Sequence, residues 1–295
     1  MDIRSDCALV TATDRKYAPY LFNTIASIHR RFPDHPILHV FDLGMSRMQR
    51  EELSGVPWIQ LNQVERFARH WKQNWSWKPY ILTRVQQRYV LYFDAANIVL
   101  YRPWLLWFRA IERNGYFLIE NGQNLRQITP LDYWNLFGLK ESFLGDAPTF
   151  GAGLMGFDRH GFAGNAVDEV LALTIEGWNL GRSAQETRNT YDYSVIRQCE
   201  CFRADQTLFN LAFRKFSPRE LVLRDELRYC GRGGAKDHPR QYVWYSRRRH
   251  DSLIYFWQPI GGFTVAFLFN RLTAYVTILT RFFGGRFLRL LRNRR

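Results

Sequence analysis

The stretch Val90 to Pro103, VLYFDAANIVLYRP, constrains the fold more than any other part of the chain. Four consecutive apolar or aromatic residues, Val90, Leu91, Tyr92 and Phe93, run into a single acidic one, Asp94. Small or polar residues follow until the apolar character resumes at Ile98. Such a run, rich in β-branched and aromatic residues and lacking polar alternation, is the pattern of a strand buried on both faces, as in a parallel sheet. An acidic residue directly after it lies where open α/β sheets receive ligands, in the crevice beyond the carboxyl ends of the strands. Taken alone, Asp94 is equally well read as a turn cap behind a core strand.

The flanking segments repeat the theme. Cys7 to Thr13 (CALVTAT) predicts a first strand, and Pro19 to Phe32 a helix, with Leu21, Ile25, Ile28 and Phe32 on one face and Pro19 in its first turn. Pro36 to Asp42 predicts a second strand, Arg47 to Leu53 a short helix and Trp58 to Leu61 a third strand. A helix over Pro79 to Arg88 feeds the Asp94 strand, Tyr116 to Ile119 is a further strand, and a helix runs from about Gly164 to Gly177. Arg182 to Thr190 reads as a polar loop. Strands alternating with helices indicate βαβ units and a largely parallel sheet. With no repeat or low-complexity linker, residues 1–258 form one domain in this reading.

At 295 residues, 46% hydrophobic and 16% aromatic, the chain can bury a full core and is not a disordered protein. Its 41 Lys and Arg against 27 Asp and Glu give a net charge of +14 and point to an anionic partner. Cys7, Cys199, Cys201 and Cys230 form no CxxC pair or zinc spacing, which favours a reducing compartment over a disulfide framework. The first residues carry charges and no apolar core of a signal peptide, so the expected start is cytosolic. Residues 259–295 differ in being strongly apolar, interrupted by Arg271 and Arg281, and rich in arginine at the end. No uninterrupted run reaches the ~20 apolar residues of a membrane-spanning helix. On one helix, Arg271, Arg281, Arg286, Arg289 and Arg292 fall within an arc of about 140°. That predicts amphipathic helices at an anionic membrane surface, on the cytoplasmic, inner face of the plasma membrane, with Gly284-Gly285 as a break. Nucleic acid is the less favoured partner, since no recognition motif accompanies the arginines.

Five features then occur in order: Thr11-Ala12-Thr13 with Tyr17, WSWKPY (Trp75 to Tyr80), Asp94-Ala95-Ala96-Asn97, FGAGLMGF (Phe150 to Phe157), and ADQTLFN (Ala204 to Asn210). In this set, over roughly Ala8 to Phe213, the chain resembles the GT-A-fold glycosyltransferases, most closely glycosyltransferase family 8 and its bacterial lipopolysaccharide and capsule relatives. The family shows an LYxDxD strand, a later FNAGV segment and a DQxxxN motif. The resemblance implies an α/β fold of GT-A type: a Rossmann-like mixed sheet flanked by helices. It implies a nucleotide-sugar donor, UDP-linked, an Mn2+ or Mg2+ ion, and retention of configuration at the transferred sugar.

The chemistry explains the residue types. The donor's diphosphate gains charge as the glycosidic bond breaks, and a carboxylate-held metal or fixed cations must stabilise it. By position, Asp94 matches the first aspartate of DxD, but the second falls on Ala96, which cannot coordinate. Three alternatives stand open: Asn97 supplies an oxygen, the metal binds weakly, or Lys78, Arg84 and Arg247-Arg248-Arg249 hold the diphosphate. His250 is the positional match to the family's C-terminal metal ligand, with His238 as competitor. The resemblance further assigns Thr11, Thr13 and Tyr17 to the base, Gly151 and Gly153 to close approach by the donor, and Asp146 to sugar hydroxyls. Asp205 and Gln206 would face the anomeric carbon, although Asp205 also fits a helix N-terminus by capping preference alone. The expected activity is transfer of a hexose from a nucleotide sugar to a membrane-associated glycan or lipid. The alternative is a non-catalytic module of the same fold, with Ala96 and Gly151 as marks of lost transfer.

Overall fold

The computed structural model describes residues 2–181, 199–224, 230–231 and 243–245, apart from 3, 100–103 and 218. The expected polar loop, the tail 259–295, His238, Arg247 to Arg249 and His250 all lie outside the described residues. Among the described residues no helix is long and apolar enough to cross a membrane.

In chain order the elements are β1 (Cys7–Thr13), α1 (Ala18–Arg31), β2 (Leu38–Asp42), α2 (Arg47–Ser54), β3 (Ile59–Gln63), α3 (Trp77–Thr83), β4 (Tyr89–Phe93), β5 (Asn97–Val99) and α4 (Trp104–Asn114). There follow β6 (Tyr116–Asn124), α5 (Leu125–Ile128), α6 (Leu131–Phe137), α7 (Glu141–Leu144), β7 (Pro148–Asp158), α8 (Phe162–Glu176), α9 (Asp205–Phe216), β8 (Cys230–Gly231) and β9 (Val243–Tyr245). Six strands make the main sheet in the order β3-β2-β1-β4-β7-β6, and β5, β9 and β8 make a small second sheet. β1 to β4 are mutually parallel where they pair, whereas β7 runs antiparallel to both β4 and β6. The sheet is thus mixed, as the family resemblance implies, with its parallel part in β1 to β4. Burial on both faces makes β4 apolar throughout, and that pattern is silent about the direction of each neighbour.

Alternation along the strands sorts the core into two layers. Cys7 and Leu9 of β1 and Leu91 and Phe93 of β4 pack with Leu21, Phe22 and Ile25 of α1 and with Trp107, Phe108 and Ile111 of α4. Ala8, Val10, Val90 and Tyr92 pack on the other face against α3, α8 and α9. Trp104–Asn114 is a helix that the sequence reading did not assign, and α3 is shorter than expected, ending at Thr83 with Arg84 as its cap. β2 and β3 lie on one side of β1, and β4 on the other. The order therefore reverses between β1 and β4, and the carboxyl ends of those two strands flank a topological switch point.

Candidate functional site

Asp94 follows β4 directly and shares a face with Tyr92, two residues earlier, because side chains alternate along a strand. That face is the one covered by α3 and α9. The Tyr92 hydroxyl donates to Asp94 Oδ1 at 2.6 Å, and the Asp94 N–H donates to the Gly153 carbonyl at 2.8 Å. A Cβ on Gly153 would stand 3.0 Å from Asp94 Oδ2, so this position of β7 must stay small for the carboxylate to sit there. The Asp94 side chain is 23% exposed and reaches solvent.

Lys78 enters from the first turn of α3. Its side chain is 4% exposed, and Nζ lies 2.7 Å from Asp205 Oδ2 and 3.8 Å from Asp94 Oδ1. Nζ also donates to the Ala152 carbonyl at 3.0 Å and lies 5.1 Å from the Tyr92 ring centroid. Its charge is directed inward, at two carboxylates and a carbonyl. The turn before it is strained, with Asn74 and Trp75 at φ 45° and 58°. Asn tolerates that region, whereas a bulky residue rarely enters it. Asn179 clamps the turn, its Nδ2 donating to Asn74 O at 3.2 Å and Ser76 Oγ at 2.7 Å.

Asp205 opens α9, with Ala204 at the cap position and φ 47°. The Ala204 side chain makes no capping bond; Asp205 stands in the first turn, where an acidic residue suits the helix N-terminus, and its carboxylate also meets Lys78. Burial raises the Asp205 carboxyl above its ordinary pKa, and the nearby Lys78 ammonium works in the opposite direction. Gln206 follows, with Nε2 buried and unpartnered. Asn210, one turn on, bonds both backbone groups of one residue: Phe150 N–H donates to its Oδ1 at 2.9 Å and its Nδ2 donates to Phe150 O at 2.8 Å. The same Nδ2 donates to Gln206 O at 2.9 Å. Asn210 thus registers α9 against β7, which explains the third residue of the DQxxxN pattern.

The remaining expected residues fall at various distances from this centre. Asn97 donates through Nδ2 to Gly153 O at 2.8 Å, leaving Oδ1 buried and without a partner. Ala95 and Ala96 are buried, and Thr24 Oγ1 donates to Ala95 O at 2.7 Å. Thr11 and Thr13 are fully buried in β1, so their side chains present no surface to a base. Tyr17 is exposed at the start of α1, and its N–H donates to Asp14 Oδ1 at 2.9 Å. Gly151 is partly buried, with Asn121 Cβ 3.8 Å from where its own Cβ would be. Asp146 is exposed beside Arg126 at 3.4 Å. It stands beyond the start of β7, and Pro148 to Gly153 spans roughly 17 Å of strand. Arg84 lies over the Tyr80 ring at the far end of α3. Sequence reasoning missed Tyr92, the Ala152 carbonyl and the role of Asn210. Period-two alternation before Asp94 was the signal for the first, but nothing local marks the other two.

Two carboxylates against one ammonium leave the centre short of positive charge. Among the described residues no group of three or more His, Cys, Asp or Glu side chains gathers. Asp94 and the orphaned Asn97 Oδ1 offer one charged and one neutral oxygen. Such a set fits a hard, oxygen-seeking ion that keeps waters and takes ligands from substrate phosphates; it does not amount to an all-protein cage.

A mixed sheet of this order, reversing at β1 and β4, with helices on both faces, is the GT-A-type fold of glycosyltransferases. No protein-family model and no curated protein matches the chain. Solved structures do. A crystal structure of the galactosyltransferase LgtC in complex with donor and acceptor sugar analogs matches over 90% of this chain and 95% of that one, with 16% identity and a TM-score of 0.53. The apo structure of the bifunctional glycosyltransferase WbbM matches over 83% of this chain and 46% of that one, with 12% identity and a TM-score of 0.54. At these identities the likeness establishes the fold.

Proposed function

We propose that the protein is a glycosyltransferase that moves a hexose from a UDP-linked donor to a membrane-associated glycan or lipid, with retention, at the cytoplasmic face of a membrane. The observation that carries this reading is the Asp94–Lys78–Asp205 centre at the switch point of a GT-A fold. Asp94, solvent-accessible and oriented by Tyr92, faces the donor. Lys78 holds the Asp205 carboxylate in place, so α9 presents Gln206 rather than a free carboxylate to the reacting sugar. The buried, unpartnered Gln206 Nε2 is a donor that a bound sugar or phosphate oxygen would satisfy. An Mn2+ or Mg2+ ion held by Asp94 and Asn97 Oδ1 would supply the positive charge that the leaving diphosphate needs.

Ala96 favours a second reading, a non-catalytic module that binds the nucleotide sugar without transfer. Calorimetric titration with UDP, with and without Mn2+, on the wild type and Asp94→Ala, tests the donor site. We expect Mn2+-dependent UDP binding that falls at least about tenfold in the variant. UDP binding that ignores both Mn2+ and the substitution would refute the role of Asp94. Donor hydrolysis without acceptor then separates the readings, since the non-catalytic module shows none.

A further inference from the structure

At the opposite end of the strands, by the amino end of β2, two histidines are arranged like half of a metal centre. His29 Nδ1 and His35 Nε2 are 3.3 Å apart, and their ring centroids are 5.5 Å apart. His35 Nδ1 lies 2.7 Å from the Pro36 carbonyl oxygen. A carbonyl only accepts, so Nδ1 carries the proton and Nε2 presents its lone pair towards His29. Metal-ligating histidines are commonly fixed in this way, with the second nitrogen donating to a carbonyl. In the absence of an ion, His29 Nδ1–H donates to that lone pair, and moving this proton to Nε2 frees both nitrogens at the same separation. That separation matches two imidazole nitrogens at about 2.05 Å from one tetrahedral ion, which stand about 3.3 Å apart.

Trp58 holds both rings. It stacks on His29 at 4.6 Å and 10° and meets His35 edge-on at 4.6 Å and 79°. His35 is buried while His29 is partly exposed, so an ion has a path from solvent. Burial keeps both imidazoles below their ordinary pKa, His35 at about 4.

We propose that His29 and His35 form a second cation site, remote from Asp94, that takes a borderline divalent ion such as Zn2+ or Cu2+, with water filling the remaining positions. Imidazole nitrogen favours these ions over Mg2+ or Mn2+. The site shares no residue with the donor centre, and its failure would leave the UDP titration unaffected. Calorimetric titration of the whole chain with Zn2+ in excess Mg2+ tests it. The wild type binds an ion that Mg2+ does not displace, and His29→Gln weakens that event at least about tenfold. Cu2+ quenches tryptophan fluorescence in the wild type, and less so in Trp58→Phe. Independently of any variant folding, Zn2+ protects His29 of the wild type from acylation by diethylpyrocarbonate, read by mass spectrometry. Equal Zn2+ binding by the wild type and His29→Gln, absence of binding, or an unprotected His29 overturns the proposal.

Discussion

Taking a charged side chain out of water costs several kcal/mol, and two opposite charges offset that only when they meet closely with their remaining polar atoms satisfied. Lys78 and Asp205 meet at 2.7 Å with side chains 4% and 6% exposed, and Nζ finds the Ala152 carbonyl as well. Removing one partner leaves the other buried and unpaired. Lys78→Met should therefore lose about 3 kcal/mol or more of unfolding free energy in urea, and adding Asp205→Leu should recover most of it. An unchanged midpoint in Lys78→Met would contradict a buried ion pair. The residue types at this centre were legible from the sequence, since Lys78, Asp94, Asp205 and Gln206 all stand in quoted motifs. Their assignments were not. Lys78 stood among several cations open to the phosphate, since a motif conveys order along the chain but not which way a side chain points.

Among the elements, β4 was the most readable and β7 the least. Five apolar residues in a row give β4 its burial on both faces, as the sequence predicts. β7 carries glycines at 151, 153 and 156, which weaken strand propensity, and its antiparallel pairing depends on β4 and β6 rather than on its own pattern. β2 carries a hidden liability of its own. His39 is buried, its Nε2 has no partner, and desolvation lowers its pKa from 6.5 to about 4, with the neighbouring Gln87 side chain working in the opposite direction. A folded-state pKa below the unfolded one means the unfolded chain takes the proton first as pH falls. The stability His39 contributes is fully present above about pH 6.5 and is lost towards pH 4, at up to about 1.4 kcal/mol per pH unit. Urea unfolding at pH 7, 6 and 5 should show that slope, and His39→Gln should flatten it. Parallel curves for the two proteins would mean that His39 is protonated equally in both states.

For the whole molecule, the strand order brings the ends of β1 and β4 together, and around them gather α3, β7 and α9 from distant parts of the chain. The basic tail adds a second scale of organisation in the proposed function. Residues 259–295 would hold the enzyme at the anionic surface where a lipid-linked acceptor is presented. Deleting residues 263–295 should release the protein from anionic liposomes in a sedimentation assay while UDP binding persists. A truncated chain that still sediments with the liposomes would assign the membrane contact elsewhere. The sequence by itself determined β1 to β4, α1 and α2 and the residues that end those strands, because hydrophobic period and turn chemistry act over a few neighbours. Only the tertiary structure decided that Lys78 spends its charge on Asp205 and on the carbonyl of Ala152, 74 residues away. It alone turned β7 antiparallel and left Gly153 as the small residue beside Asp94. Such pairings form because burial leaves a charge or a peptide group no water to bond, and the partner that replaces water is whichever group the packed sheet brings near.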